Sequence, residues 1–388
     1  MTPDHAVTAA EPLPRLRKRT SAKWSMHPAE VLPMFIAEMD YPLAPPIVAA
    51  LSEAVALGDT GYANPHGSGV AEAFAGYARE AWNWSPDPAR MGFTTDVSVV
   101  IVESLRRLIA PGEGVIITPP VYPPFYDLIP EAGGTVVEVP LLDDGERYDL
   151  DLDGIDRALA AGARAVLLCN PHNPTGTVHS RETLAELSRI VARHGATVVA
   201  DEIHAPLTHH GVEFVPYLSV SDEAAEHGIA AESGSKAFNL AGLKTAIFVA
   251  AGERMTELIR DLPEEVTYRM GQFGLIATRE GFAHGRDWLD ATITAFQGTR
   301  ELLAGQLAQK LPQVRLRPAQ ATYLAWLDLR ELGWGDDPAA VALERAGLAL
   351  SNGPAFGPQG RGFARMNLAC SPETVIEAVD RLAAARGD

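Results

Sequence analysis

The chain has 388 residues, 47% of them hydrophobic and 21% charged, a balance ordinary for globular proteins that excludes collagen-like, coiled-coil and disordered classes. Its 50 acidic residues against 32 basic ones give a formal charge of −18, which repels phosphate backbones and anionic headgroups and disfavours a nucleic-acid or membrane-surface role. The length predicts one large domain with a second, smaller lobe.

In chain order, the first twenty residues carry Pro12, Pro14 and the basic cluster Arg15, Arg17, Lys18 and Arg19 with no apolar run behind them, so they read as an arm and not as a signal peptide. No run approaches the roughly 20 apolar residues that cross a bilayer. Cys169 and Cys370 stand singly in apolar segments without CxxC spacing, so neither a disulfide framework nor a cysteine metal site is expected, and a cytoplasmic location follows. TTDVSVV (94–100) precedes the helical IVESLRRLI and offers the backbone amides of Val97 and Ser98 at a helix N-terminus.

GVIIT (114–118), TVVEV (135–139), AVLLC (165–169), TVVA (197–200) and TAIFVAA (245–251) are nearly uninterrupted apolar runs, which predicts strands buried on both faces. Between two of them, SRETLAELSRIVARHG sets Leu184, Leu187, Ile190 and Val191 at helical spacing, with Ser180 as N-cap and Gly195 as the stop. Units of this kind predict an α/β domain over 41–285 with a mostly parallel central sheet, whose ligands sit beyond the carboxyl ends of the strands. Past residue 285, a long helix from Trp288 to Lys310, the strand TYLAWLDL (322–329), a further helix and the glycine-rich 352–370 predict a smaller α+β domain over 286–388, joined by an arm over 1–40.

Three strand ends carry polar residues: NPHNPTG (170–176), DEIH (201–204) and SGSK (233–236). A pyridoxal 5'-phosphate site needs an amine to condense with the cofactor aldehyde, an anion beside the ring nitrogen, a donor to the phenolate oxygen and a cradle for the phosphate. Lys236 can supply the amine, Asp201 the anion and Asn173 the donor. Ser233 and Ser235 can donate hydroxyls to the phosphate, and Lys244 adds a cation.

The set NPHNPTG, DEIH, SGSKAFNLAGLK and GRGFARMNLAC resembles fold-type-I pyridoxal-phosphate enzymes, the aspartate-aminotransferase superfamily, and more narrowly their cystathionine β-lyase or cysteine-conjugate C–S lyase branch, the MalY/PatB type. SAKWSMHPAEVLPMFIAEMDYP (21–42), PPVYPPFYDLI (119–129) and QATYLAWLDLR (320–330) match that branch as well, so the resemblance runs from about residue 20 to the C-terminus. It implies that Tyr122 lies against the cofactor ring, that Tyr62 reaches the phosphate of the other subunit of a homodimer, and that Arg365 and Tyr122 meet the amino-acid substrate. His204 stands where many aminotransferases have a tyrosine, and Lys244 where an arginine usually holds the phosphate. The implied reaction is α,β-elimination from an S-substituted L-cysteine such as cystathionine to a thiol, pyruvate and ammonia. An aminotransferase of the same fold is the alternative, and a pyridoxal-binding regulatory protein a more distant one.

Each feature also has a plainer reading: Lys236 as a surface lysine, Asp201 and Glu202 as helix caps, NPHNPTG as turns, Tyr62, Tyr122 and Tyr323 as packing, Arg365 as a structural cation, Lys244 as an exposed one. HAPLTHH (204–210) groups His204, His209 and His210 without a carboxylate or cysteine at ligand spacing, so no metal is expected. HGSGVAEAFAG (66–76) lacks the third glycine and the preceding strand of a dinucleotide loop.

Overall fold

The computed structural model describes residues 8–386; residues 1–7 of the expected N-terminal arm and the last two of the smaller domain lie outside the described residues. Its centre is a sheet of seven strands, β1 (Met91–Thr94), β2 (Gly114–Ile117), β3 (Thr135–Glu138), β4 (Ala163–Cys169), β5 (Thr197–Asp201), β6 (Gly228–Glu232) and β7 (Ala246–Val249), in the spatial order β1-β7-β6-β5-β4-β2-β3. Strands β3, β2, β4, β5 and β6 run parallel, and β7 is antiparallel to both β6 and β1. The mostly parallel α/β fold is therefore present.

Strand β4 explains the uninterrupted apolar runs. Ala165, Leu167 and Cys169 join one apolar cluster with Ile101, Val115 and Val199, while Val166 and Leu168 join another with Ile116, Leu187 and Val198. Both faces are covered, so alternation has no polar side to show. β3 departs from the expectation of two buried faces: it is the last strand, paired on one side only, and both Thr135 and Glu138 are exposed. β1 is an element that the apolar-run reading did not find, because MGFT is too short and too mixed to stand out.

Helices α1 (Val97–Leu108) and α2 (Arg181–Arg193) cover the sheet. In α2 the hydroxyl of Ser180 accepts from the Thr183 amide at 3.2 Å, and Gly195 takes the left-handed φ of +60° that ends the segment.

The second lobe is built on the long helix α3 (Arg286–Lys310), helix α4 (Pro372–Ala385) and an antiparallel sheet of β8 (Arg315–Leu316), β9 (Leu324–Asp328), β10 (Ser351–Asn352) and β11 (Phe363–Asn367), ordered β8-β9-β11-β10. Leu303, Leu307, Ala325, Leu327, Val375 and Val379 form its core, together with Leu32 and Met34 from the N-terminal segment. Leu32–Pro33 pairs in parallel with Leu348–Ala349, so the chain's beginning enters this lobe before crossing to the large sheet. Among the described residues, no helix is long and apolar enough to cross a membrane.

Candidate active site

The carboxyl ends of β4, β5 and β6 open on a cavity of about 490 Å³ between the sheet and the second lobe. After β4, the chain turns tightly: Gly176 N–H donates to the His172 carbonyl at 2.7 Å with a φ of +71°. Asn170 is committed to this turn, its Oδ1 accepting from His179 N at 3.1 Å, and Asn173 is the asparagine that lines the cavity.

Successive residues at the end of β5 face opposite ways. Asp201 lines the cavity, where its Oδ1 accepts from Ile203 N at 3.2 Å; burial pushes its carboxyl up to about 7, against the opposing pulls of that amide and of Lys236. Glu202 is absent from the cavity lining, and its Oε1 accepts from Tyr217 N at 2.7 Å. Burial raises Glu202 to about 8 and lifts its neighbour Glu232 well above the ordinary 4.5, so the fold favours the protonated form of each. His204 lines the cavity, buried, with Nδ1 lacking a partner; desolvation, then the positive charges of Lys236 and Arg365, pull it down to about 3 and keep the ring neutral.

After β6, the short helix Gly234–Ala237 presents Ser235 and Lys236 to the cavity. Ser233 does not reach it. It is fully buried as the N-cap of that helix, accepting from Ser235 N at 3.0 Å and donating to the Thr245 carbonyl at 2.6 Å, so the expectation of a phosphate-donating hydroxyl is corrected. Lys236 is half-buried, and its Nζ donates to the Ala37 carbonyl at 3.0 Å. Burial, reinforced by Arg365, lowers this amine to about 8 even though Glu38 and Asp201 pull the other way.

Val97 and Ser98 open α1 and line the cavity. The Asp96 carboxylate makes no capping bond there and instead takes Lys244 Nζ at 3.0 Å, which leaves the first-turn amides facing the cavity without a side-chain acceptor. Lys244 itself lies outside the cavity lining. It shares a neighbouring hollow of about 540 Å³ with Tyr62, Tyr268, Arg269 and Gln272, and Tyr62 is fully exposed there. Tyr122 lines the main cavity, its ring edge-on to Phe125 with centroids 5.8 Å apart, and burial raises its phenol so that it stays protonated.

Arg365 comes from β11 across the gap. Its Nη1 donates to Asn173 Oδ1 at 2.8 Å, its Nη2 to Ser351 Oγ at 3.0 Å and to the Phe35 carbonyl at 3.2 Å, and Nε has no partner. The three histidines of 204–210 diverge: His204 faces the cavity, His209 Nε2 bonds the Thr322 carbonyl at 2.9 Å, and His210 Nε2 lies 3.2 Å from the Asp290 carbonyl.

Several participants have no counterpart among the sequence-derived candidates. Segment 35–41 crosses between the lobes, and its carbonyls are used one after another: Phe35 by Arg365 and Ser351, Ile36 and Glu38 by Asn367, Ala37 by Lys236 and Tyr323, Met39 by Asn239 and Arg19. Backbone acceptors leave no side-chain pattern; the one signal in the sequence is that FIAEMDYP belongs to a segment carrying the family resemblance. The segment is locked by a buried pair, Lys23 Nζ to Asp40 Oδ1 at 2.6 Å.

The chain matches the profile of the family described as Aminotransferase class I and II over residues 38–382. A Mycobacterium tuberculosis protein named "Putative cystathionine beta-lyase" is 42% identical over 94% of this chain and 94% of its own. The protein named "Cystathionine beta-lyase" from Corynebacterium glutamicum is 33% identical over 96% of this chain and 98% of its own. The crystal structure of cystalysin from Treponema denticola, described as containing a pyridoxal 5'-phosphate cofactor, superposes with a TM-score of 0.91 at 25% identity, covering 98% of both chains.

Proposed function

The chain belongs to the class I and II aminotransferase family, and from that premise we propose that it is a pyridoxal-phosphate-dependent carbon–sulfur β-lyase that splits an S-substituted L-cysteine, cystathionine or a related thioether, with water into a thiol, pyruvate and ammonia. The observation that carries the reading is a single cavity whose lining brings together an amine lowered to about 8, Lys236, the buried carboxyl of Asp201 and the buried guanidinium of Arg365. The names of the relatives support elimination over amino transfer as its outcome.

The residues present fit the cofactor. Asp201, buried and raised, is a carboxyl that would gain its charge on meeting a cation such as a protonated ring nitrogen. Asn173, its oxygen turned to Arg365, keeps its amide N–H for an acceptor, with His204 nearby in the lining; the amides of Val97 and Ser98 suit a phosphate, and the Ser235 hydroxyl, 2.7 Å from Ser233 Oγ, would have to turn from that bond to join them. Tyr122 suits the ring face. Lys244, by pairing with Asp96, removes a negative charge from the phosphate end. Bound there, pyridoxal phosphate supplies the aldehyde that takes up the substrate amine and the cationic ring that accepts the electron pair from Cα.

The chain's own residues do the rest. Arg365 holds the substrate carboxylate as a planar fork and so fixes which Cα bond faces Lys236. Lys236, lowered to about 8, has an appreciable unprotonated fraction at neutral pH and takes the Cα proton on Nζ. His204 stays neutral and so adds no competing cation beside that amine.

A homodimer is part of the proposal. Tyr62, fully exposed in the hollow beside Lys244, is a phenol with no use in its own cavity, and it suits the phosphate end of a partner's site. The buried, unpaired Cys169 and Cys370 suit a reducing cytoplasm. The decisive experiment incubates the purified holoenzyme with L-cystathionine and assays thiol, pyruvate and ammonia. Absence of all three, with stoichiometric amino transfer to a 2-oxo acid, would sink the lyase reading. Lys236→Ala should lose both turnover and the cofactor's visible absorbance; unaffected turnover would refute that assignment.

A further inference from the structure

The proposed chemistry leaves one part of the cavity unassigned. With Lys236, Asp201, His204 and Arg365 given roles, the charged side chain that remains in the lining is Asp96, and Lys244 already neutralises it at 3.0 Å. The rest of the second-lobe side is apolar: Phe35, Ile36, Leu350, Ala355 and Phe356. The two polar residues on that side are already hydrogen-bonded. Ser351 Oγ donates to the Phe35 carbonyl at 2.6 Å and accepts from Arg365 at 3.0 Å; the Asn352 amide accepts from Ala355 N at 3.0 Å and donates to Asp337. Phe356 is held rigidly, edge-on to Trp326 at 5.3 Å and with the Arg365 guanidinium 5.0 Å from its ring centre. An apolar floor thus adjoins the very group proposed to clamp the substrate carboxylate.

We infer that this wall selects the sulfur substituent: the preferred thioether carries an uncharged alkyl or aryl group on sulfur and not a second amino-acid headgroup, with Leu350 and Phe356 as specificity-determining residues. The inference rests on the lyase reading. Among the described residues, a distal ammonium and carboxylate would meet no counter-charge on this wall, where the second N–H of the exposed Asn352 is the one side-chain donor left over, and charge held against apolar surface without a counter-charge is unfavourable. Each methylene that leaves water against the wall raises kcat/KM by about fourfold until the wall is filled.

The test measures thiol and pyruvate release by the holoenzyme from S-methyl-, S-ethyl-, S-propyl-, S-butyl- and S-benzyl-L-cysteine and from L-cystathionine. The expected result is a rise of about fourfold per methylene, with the butyl and benzyl compounds exceeding cystathionine by about tenfold or more. In Leu350→Ala the butyl-to-methyl ratio should fall at least about threefold, a comparison within one variant that any loss of folded protein cancels out. Thiol release with a flat series, or with cystathionine equal to or better than the butyl compound, overturns the inference and leaves the lyase reading standing. An unchanged ratio in Leu350→Ala overturns the role of that residue. No thiol or pyruvate from any compound overturns the lyase reading, and the inference with it.

Discussion

Replacing Arg365 with lysine probes the carboxylate clamp. The native guanidinium is buried and spread over Asn173 Oδ1, Ser351 Oγ and the Phe35 carbonyl at 2.8, 3.0 and 3.2 Å. Burial lowers it to about 10, so it keeps its charge at neutral pH. A planar fork can grip a carboxylate with two parallel bonds from Nε and Nη2 if Nη2 gives up Ser351, while Nη1 stays on Asn173 and the other Nη2 proton on the Phe35 carbonyl. An ammonium gathers its donors at one point and cannot serve the carboxylate twice while also satisfying Asn173 and Phe35. The variant therefore loses at least one charge-assisted hydrogen bond, about 1.5–3 kcal/mol, or roughly 10- to 150-fold in kcat/KM. Because the carboxylate is held both before and during proton removal, most of the loss should fall on KM, with kcat changing far less. Steady-state thiol release from L-cystathionine measures both constants, and the thermal midpoint checks that the protein is folded. A KM within about twofold of the native value would refute the clamp, since even the weakest such bond exceeds that.

Asp40→Asn should destabilise the fold by about 3–5 kcal/mol, because it strands the Lys23 ammonium in a buried site; both side chains are at most 2% exposed. A denaturant midpoint giving less than about 1 kcal/mol would contradict this, and Lys23→Met with Asp40→Leu should recover most of the loss. Glu202 and Glu232 make stability fall toward alkaline pH. Their folded values lie above the ordinary 4.5, so the contribution of each is complete below about pH 4.5; that of Glu202 disappears as pH rises through about 8, and that of Glu232 falls in the same direction. Glu202→Gln should flatten that fall in urea titrations across the same range, and equal slopes would refute the protonated pair. Asp201, raised to about 7, adds a fall of the same sign that persists in the variant. Light scattering should give twice the chain mass, with Tyr62→Ala keeping the dimer but weakening cofactor binding by about tenfold, the worth of one hydrogen bond to a charged group. A monomer, or unchanged cofactor affinity, would refute the proposed contribution from the partner.

The parts of the fold legible in the sequence are those where one physical demand dominates several adjacent residues. Strand β4 had to be apolar throughout because Leu167 and Leu168 pack into different clusters, and that left a run that could be read directly. At β3 the same kind of run lies on the sheet edge, and composition alone could not tell an edge from a centre. In the site, the structure brings Asn173, Asp201, His204 and Lys236 together because each follows a strand end, a place that topology fixes. Ser233 is a hydroxyl of the right type spent elsewhere, since its oxygen caps the short helix and its proton goes to the Thr245 carbonyl. The braces on Arg365 were out of reach, since Phe35 and Ser351 stand 330 and 14 residues away and one of them acts only through its carbonyl.

Segment 35–41 ties the two proposed reacting ends of the site to one support. The resting amine of Lys236 leans on the Ala37 carbonyl and the guanidinium of Arg365 on that of Phe35, two residues apart on the same piece of backbone. Asn239 holds that piece from the large domain and Asn367 from the second lobe. Base and clamp therefore share a mount, and their spacing is an alignment kept by the crossing chain and not by contact between them. Damage at a distance, as in Asp40→Asn, would misalign both together, so its mark on any surviving activity would be kcat and KM worsening in step.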